Sequence, residues 1–212
     1  MTRTTYNHIA GTSLERIAAL SDGLFAIAMT IIVLEIHVPR VAGIHTDQDL
    51  ARALGALAPR IVTYLLSFLT LGIFWVGQQT QLNHLRRADR HLTWLHLAFL
   101  ATVATMPFST GLLAEFTRYR LALLAYWGNI ALLGVVAHAA WRYSEHGGLM
   151  KEGTSPEVCH AIKHRIVMGQ VLYALGAALC VIHTYWSIGF IALVQLNFAI
   201  APRFAPARHH RA

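Results

Sequence analysis

The stretch RIAALSDGLFAIAMTIIVLEI, residues 16–36, determines how the rest of the chain can fold. It is apolar enough to enter a bilayer, yet it carries Arg16 and Asp22 near one end and Glu35 near the other. Ionisable groups in a membrane helix are costly, and they are usually kept for a functional or buried structural reason. The stretch therefore predicts a membrane helix whose charged residues have specific partners.

One face of this helix carries mostly apolar side chains. At about 100° per residue, one stripe holds four residues: Ile27, Thr30, Ile31 and Leu34. Asp22 lies about 140° from Ile27 by the same geometry, so the acid and the stripe face different surroundings. Such a stripe suits a helix that lines a pore, and it equally suits a helix packed in a bundle, where apolar stripes are common. The pattern alone leaves both interpretations open.

The composition is that of a polytopic membrane protein. Of 212 residues, 56% are hydrophobic and only 13% are charged, about half the usual share in globular proteins. The net charge of +7 comes from basic residues in short connections between apolar runs, where they can face membrane lipid. Nucleic-acid binding needs a basic face with aromatic residues on a soluble fold, so no nucleic-acid partner is predicted. The two cysteines, Cys159 and Cys180, indicate no disulfide framework.

Hydropathy predicts an all-α chain with six transmembrane helices. Each apolar run is long enough to cross the roughly 30 Å hydrocarbon layer. The spans are expected at 14–38, 60–82, 91–114 and 121–141, with two more in the uncharged run 166–202. Three regions follow: an N-terminal segment (1–13), a single transmembrane domain (14–205) and a basic C-terminal tail (206–212).

Local signals predict where these helices begin, bend and end. Pro107 should kink the third span and release a carbonyl group, which nearby hydroxyls can satisfy. Residues 142–165 are expected to form a long polar loop, and a turn near 183–187 should divide the last run. Thr12 is the expected N-cap of the first helix, and Asp47 that of a short amphipathic helix after it.

The basic residues predict the orientation. With the N-terminus inside, twelve of the 17 Lys and Arg residues lie in inner segments and five in outer segments. This bias predicts a multi-pass protein of the cell membrane with cytoplasmic N- and C-termini. No internal repeat is visible, so a symmetric pore would need several subunits.

Three elements follow one another along the first 120 residues. The first is Arg16, then Ser21-Asp22, Phe25-Ala26-Ile27 and Thr30; the second is TLGIFWVGQQ around Trp75; the third is WLHLAFLATVATMPFSTGLLAEF, 94–116. In this order they resemble the first three helices of the transmembrane protein 175 family of potassium channels. Leu20 departs from the family pattern, which has phenylalanine there, and Gln78-Gln79 stand where a histidine is expected.

The resemblance implies a homotetramer that conducts potassium passively through a pore lined by the first helices. Ile27, Ile31 and Leu34 would form the pore constriction, a hydrophobic gate that closes by dewetting. Thr30 would offer its hydroxyl oxygen to the ion. The alternative for Thr30 is a hydroxyl that bonds to a carbonyl of the preceding turn. No cofactor is implied besides the permeating potassium ion.

The resemblance also implies a structural polar network of Arg16, Ser21, Asp22 and Gln78 at the inner end of the first helix. Arg16 and Asp22 are six positions apart, so we expect them to meet through a neighbouring helix or subunit. The alternative function is a proton-coupled or proton-conducting transporter that uses Asp22.

Other residue types give weaker signals. The sequence has no nucleophile elbow, phosphate loop or haem motif, so no enzyme activity is predicted. His160 and His164 are spaced to share a helix face beside Cys159, but two histidines are half of a closed zinc shell, and no metal site is predicted. Glu35 and His37 could attract cations or lie at the membrane interface. A non-conducting scaffold or a small intramembrane enzyme that uses the histidines is a further alternative, although the histidines form no complete site.

Overall fold

All the regular elements of the described chain are helices, as predicted. The computed structural model describes residues 11–200; the first ten residues of the predicted N-terminal segment, and everything from residue 201 including the predicted tail 206–212, lie outside this range. The α-helices are α1 (Leu14–Ile31), α2 (Asp47–Gly55), α3 (Ala58–Asn83), α4 (Arg90–Ala104), α5 (Met106–Glu115), α6 (Arg120–His146), α7 (Pro156–Ala178) and α8 (Thr184–Ile200). Turns of 3₁₀-helix at Ile32–Glu35 and Leu179–Val181 extend α1 and α7.

Several of these helices can cross a bilayer. Within residues 11–200, five segments are long and apolar enough: Leu14–Glu35, Ala58–Asn83, Arg90–Glu115, Arg120–His146 and Pro156–Val181. The chain is therefore a multi-pass membrane protein. Helix α8 is apolar but has only 17 residues, so the count of six spans stays a prediction.

Two of the predicted helix caps are wrong by one residue. Helix α1 is capped by Ser13 and not by Thr12, because the Ser13 hydroxyl accepts from the Arg16 N–H at 3.3 Å. Helix α2 is capped by Thr46 and not by Asp47, because Thr46 and Asp49 bond reciprocally in a capping box. Hydrogen bonds from the Thr46 side chain and the His45 N–H lower the pKa of the Asp49 carboxyl.

The predicted kink of the third span is a break in the helix. Helix α4 ends at Ala104, and Pro107 lies in the first turn of α5, where its missing N–H costs nothing. The Thr105 N–H bonds to the Thr102 carbonyl at 3.3 Å and is shared with Val103, whose carbonyl the proline releases. Among the described residues, no hydroxyl bonds to the Val103 carbonyl. The hydroxyls of the following turn bond to the Met106 carbonyl.

The predicted loop 142–165 is much shorter in the structure. Helix α6 continues to His146 and α7 already begins at Pro156, after the Ser155 cap. The apolar runs end before the helices do, because polar residues can also adopt helical backbone conformation. Hydropathy therefore predicts the lipid-buried part of a helix and not its full length. A salt bridge between Lys163 and Glu145, at 3.1 Å, joins the two polar helix ends.

The bundle packs around α6 and α3. Helix α6 contacts α4, α5 and α7, whereas α3 contacts α5 and α8. Helix α1 packs against α3 and α4 along one face, where Phe25 and Ala28 are buried and the Phe25 and Phe99 ring centroids lie 6.0 Å apart. The opposite face of α1 stays outside the core of the chain.

Helices α7 and α8 approach closely at a glycine. A Cβ atom on Gly176 would lie 2.8 Å from Cγ1 of Ile191, a buried side chain. Small residues at such crossings let membrane helices pack tightly. The last two helices therefore depend on the absence of a side chain at this position.

We expect Gly176→Ala to destabilise the protein by about 1–3 kcal/mol, the usual cost of overpacking a core. The control is Gly128→Ala in α6, whose added Cβ meets no atom within 4 Å. Thermal unfolding in detergent should show a lower Tm for Gly176→Ala than for the control. Equal Tm values would contradict the tight α7–α8 crossing.

Candidate functional site

The four residues of the predicted pore stripe lie on the exposed face of α1. Ile27 is 58% exposed and Leu34 is 69% exposed, and Ile31 and Thr30 are exposed as well. On its other side, α1 buries four residues: Ile17, Ser21, Phe25 and Ala28. In a single chain, the stripe is thus free to contact lipid, another subunit or a pore.

The end of α1 changes its winding within the stripe. The α-helix stops at Ile31, and a turn of 3₁₀-helix covers Ile32–Glu35, so the predicted continuous helix to residue 38 is wrong. In 3₁₀ geometry, residues three apart eclipse each other. Leu34 therefore stays in line with Ile31, and the apolar stripe continues through the change of winding.

Thr30 bonds back to its own helix. Its hydroxyl donates to the Ile27 carbonyl at 2.8 Å and lies 3.0 Å from the Ala26 carbonyl. This is the back-bonded geometry that the sequence left as an alternative. The hydroxyl hydrogen points into the helix, so the oxygen lone pairs remain available on the exposed side. Both interpretations of Thr30 are therefore compatible with one conformation.

Ser21 and Asp22 tie α1 to α3. One carboxylate oxygen of Asp22 accepts from the Trp75 indole N–H at 2.8 Å and from the Gln79 amide at 2.7 Å. The Ser21 hydroxyl accepts from the Gln78 amide at 3.0 Å and donates to the Ile17 carbonyl at 2.8 Å. Three residues of the predicted network, Ser21, Asp22 and Gln78, are thus brought together.

A third helix joins the network through a histidine. The Gln78 amide nitrogen lies 3.3 Å from Nδ1 of His96, which is buried in α4. An amide N–H is a donor, so Nδ1 accepts and the proton of the neutral ring is on Nε2. His96 is therefore a hydrogen-bonded residue of the bundle.

Arg16 stands apart from this network. Its side chain is exposed, and within residues 11–200 it makes no bond to Asp22. The predicted network of Arg16, Ser21, Asp22 and Gln78 included neither Trp75 nor Gln79. The signal was present, because Trp75 and Gln79 are four positions apart and share a helix face.

A second polar cluster lies at the other end of α1. The Arg60 guanidinium forms a salt bridge with Glu115 and donates to Nδ1 of His37 at 2.9 Å and to the Glu35 carbonyl at 3.4 Å. Arginine has no acceptor, so the His37 nitrogen accepts this bond. The segment after α1 is thereby fastened to α3 and α5.

A buried hydrogen-bond network that the sequence did not predict crosses the middle of the bundle. Gln195 donates to the Thr70 hydroxyl at 2.6 Å, and Thr70 lies 3.1 Å from the Tyr126 hydroxyl. Ser67 donates to Tyr126 at 3.3 Å and accepts from Thr110 at 2.7 Å. These residues come from four helices, α3, α5, α6 and α8, so the network joins the body of the bundle.

The described residues contain no group of three or more His, Cys, Asp or Glu side chains that could hold a metal ion. His160 and His164 do share a helix face, with ring centroids 6.1 Å apart.

The sequence and the fold are similar to known channels. A sequence profile described as endosomal/lysosomal potassium channel TMEM175 matches residues 16–107. A potassium channel of Streptomyces collinus is 31% identical over 198 residues, which cover 91% of this chain and 95% of that protein. The human endosomal/lysosomal proton channel TMEM175 is 26% identical over 86% of this chain and 36% of its own length.

The fold agrees with a solved structure. The crystal structure of a lysosomal potassium-selective channel TMEM175 homolog from Chamaesiphon minutus superposes with a TM-score of 0.76 at 29% identity. The superposition covers 89% of this chain and 97% of that one, so the likeness extends beyond the first three helices.

Replacing Asp22 by alanine should leave the Trp75 and Gln79 donors without their acceptor. Hydrogen bonds to a charged group contribute about 1.5–3 kcal/mol, so we expect a clearly lower Tm and less assembled protein. Fluorescence-detected size exclusion after heating measures both.

Glu152→Ala is the control for Asp22→Ala, because Glu152 pairs with Arg86 at 3.2 Å in an exposed salt bridge. Such surface pairs contribute about 0–1 kcal/mol. If Asp22→Ala is as stable as Glu152→Ala, the Asp22 contacts do not hold α1 in place.

Proposed function

The chain belongs to the TMEM175 family of potassium channels, and from this premise we propose that it conducts potassium ions passively across a membrane. The observation that carries the proposal is the exposed apolar stripe of α1 on a chain of this family. The relatives with this fold are named as channels, and a channel needs no reaction chemistry.

The proposed pore lies between subunits. A single chain offers the stripe of α1 on an outer surface and has no internal repeat. Closed rotational symmetry is the usual arrangement of identical subunits, and it would bring copies of α1 around one axis. A homotetramer is the assembly that the family resemblance favours, with potassium and membrane lipid as the other partners.

The proposed gate is a ring of apolar side chains. Ile27, Ile31 and Leu34 from each subunit would narrow the axis, and a constriction of branched apolar groups blocks ions by losing its water. Thr30 lies on the same stripe, with its hydroxyl hydrogen bonded into the helix. A ring of these oxygens would replace part of the hydration shell of a cation at low affinity, so that the ion leaves again.

The apolar ring would also be the source of potassium selectivity in the proposed pore. The sequence contains no carbonyl filter of the T-V-G-Y-G type. Discrimination against sodium would then rest on partial dehydration at the apolar ring, because removing water from the larger potassium ion costs less free energy.

The proposed role of Ser21, Asp22 and Gln78 is structural. They hold the rotation of α1 against α3, through bonds of 2.7–3.0 Å that include Trp75 and Gln79. Arg16, exposed near the start of α1, is proposed to complete this network across a subunit boundary.

The proposed orientation places both chain ends in the cytoplasm of a cell membrane protein. The support is the excess of Lys and Arg in the segments on that side. The Asp22 network would then face the cytoplasmic end of the pore, and the Arg60 cluster its outer end.

Proton conduction is a second candidate function, because the human relative is named a proton channel. In this chain the exposed acids of α1 are Glu15, in its first turn, and Asp22, which is the candidate for proton exchange. Its carboxylate oxygen already accepts two hydrogen bonds, which supports a structural role more than proton exchange.

Liposome flux separates the two functions. With a potassium gradient and equal pH on both sides, a passive channel should conduct at full rate, also when a protonophore is present. Asp22→Asn should keep this flux in the fraction that assembles. Flux that requires a pH gradient, and that Asp22→Asn abolishes in an intact assembly, would support the proton-coupled function instead.

Truncating a side chain of the proposed constriction should increase potassium leak. Ile27→Ala widens the proposed ring, and a barrier lowered by about 1.4 kcal/mol raises the flux about tenfold. The control is Ile61→Ala in α3, an isoleucine with 41% exposure away from the stripe. Single-channel recordings or liposome flux measure the effect; unchanged current in assembled Ile27→Ala protein would remove this residue from the gate.

A further inference from the structure

A cleft of about 500 Å³ opens at one end of the bundle, between the turn that joins α5 to α6 and the turn that joins α7 to α8. The membrane span of α6 begins at Arg120, and the span of α7 ends at Val181. The cleft therefore lies where two spans meet the level of the lipid headgroups. None of the stripe residues of α1 lines it, so the cleft is separate from the proposed pore.

Two arginines line this cleft without an acidic partner. Neither Arg118 nor Arg120 forms a salt bridge with an acid of the described chain, and no Asp or Glu of residues 11–200 lines the cleft. The nearest acid along the chain is Glu115, which already pairs with Arg60. The cleft thus carries two positive charges that the described part of the subunit does not neutralise.

Hydrogen bonds between the two turns hold the arginines beside the cleft. The Arg120 guanidinium donates to the Val181 carbonyl at 2.9 Å. A guanidinium has five N–H donors, so this bond positions the group and leaves other donors for a ligand. The backbone carbonyl of Arg118 accepts from the Thr184 hydroxyl at 3.4 Å, which joins this turn to the start of α8. Arginine is the side chain that binds phosphate through two parallel N–H bonds.

A histidine adds a third donor to the cleft. Nδ1 of His183 accepts from the backbone N–H of Tyr185 at 3.3 Å, so a neutral ring carries its proton on Nε2. The ring also stacks on Tyr185, with centroids 5.3 Å apart, and both residues line the cleft. Guanidinium and imidazole N–H groups thus lie around one space. The ligand that such groups select is an anion with several acceptor oxygens.

The surface around the cleft is apolar and aromatic. Leu121, Ile182 and Trp186 are largely exposed beside the two turns. Exposed tryptophan and tyrosine side chains are typical of the interface between membrane and water. A free inorganic anion gains nothing from apolar surface, whereas a lipid covers it with its acyl chains. The surroundings therefore favour an anion that belongs to a lipid.

We propose that this cleft binds the phosphate group of an anionic phospholipid, with Arg118, Arg120 and Nε2 of His183 as the donors. Basic pockets between membrane helices bind headgroups in this way. A zwitterionic lipid carries a positive charge close to its phosphate, which the two arginines repel. The proposal names a lipid class and a site, beyond the general contact with lipid that every membrane protein makes.

Native mass spectrometry of the full chain in detergent, titrated with phosphatidylglycerol and with phosphatidylcholine, tests the lipid class. We expect one saturable phosphatidylglycerol site per chain. Phosphatidylcholine should bind at least about fivefold more weakly, because one basic residue changes the affinity for anionic lipid by about this factor. Binding does not require conduction, so the result is independent of the proposed channel function.

Charge-removing variants locate the site. Arg118→Gln should weaken phosphatidylglycerol binding about fivefold, and the double variant with Arg120→Gln should lose the saturable site. The matched control is Arg40→Gln, an exposed arginine that does not line the cleft, which should bind phosphatidylglycerol like the unchanged protein. If the double variant is not monodisperse, Arg118→Gln decides alone, because the Arg118 side chain is exposed and forms no salt bridge within the described chain.

A second measurement separates lipid from free phosphate. Equilibrium dialysis of radiolabelled inorganic phosphate against the protein in phosphatidylcholine nanodiscs should give no more uptake than empty nanodiscs. Three results would overturn the proposal. They are equal affinity for the two lipids, phosphatidylglycerol binding that is the same in Arg118→Gln and Arg40→Gln, and phosphate uptake that Arg118→Gln removes, which would assign the cleft to a free anion.

Discussion

The fold of this protein depends on how the rotation of α1 about its own axis is fixed. Within a bilayer, apolar side chains gain little by choosing protein over lipid, so packing alone sets rotation weakly. The carboxylate of Asp22 supplies the missing constraint, because Trp75 and Gln79 of α3 both donate to one of its oxygens. Ser21 and Gln78 add a second contact beside it. If α1 rotated about its axis by one residue position, about 100°, all of these bonds would break and the apolar stripe would face the bundle.

The far end of α1 is held by different chemistry. Arg60 reaches the Glu35 carbonyl and the His37 ring after the 3₁₀ turn, while its charge is balanced by Glu115. Between the two polar ends, α1 meets the bundle mainly through Phe25 and Ala28. The helix is thus fixed at both ends, and the apolar stripe lies along the length between them.

The sequence predicted the helices of this fold better than their ends or their partners. Long apolar runs identify the membrane spans, because a segment that contacts lipid must be apolar. The helices continue past the bilayer wherever the polar residues that follow also adopt helical conformation. For this reason 142–165 was wrongly predicted as one loop, although Glu145 and Lys163 lie on helices that pair beyond the apolar region. The caps at Ser13 and Thr46 were missed by one residue, since the residue beside each of them, Thr12 and Asp47, is also of a type that caps helices.

The contacts of the site were harder to predict, for a reason that the buried network makes clear. Ser67, Thr70, Tyr126 and Gln195 are single polar residues in separate apolar runs, and no local spacing connects them. Each such bond between membrane helices contributes only about 0.6 kcal/mol on average, so its value lies in specifying which helices pair. In this chain the network joins α3, α5, α6 and α8 but not α1. The body of the bundle is therefore specified by buried hydroxyls and amides, while α1 is attached to that body from its polar ends. A helix attached in this way can present an apolar face outward without weakening the core, which is the arrangement that a pore built between subunits requires.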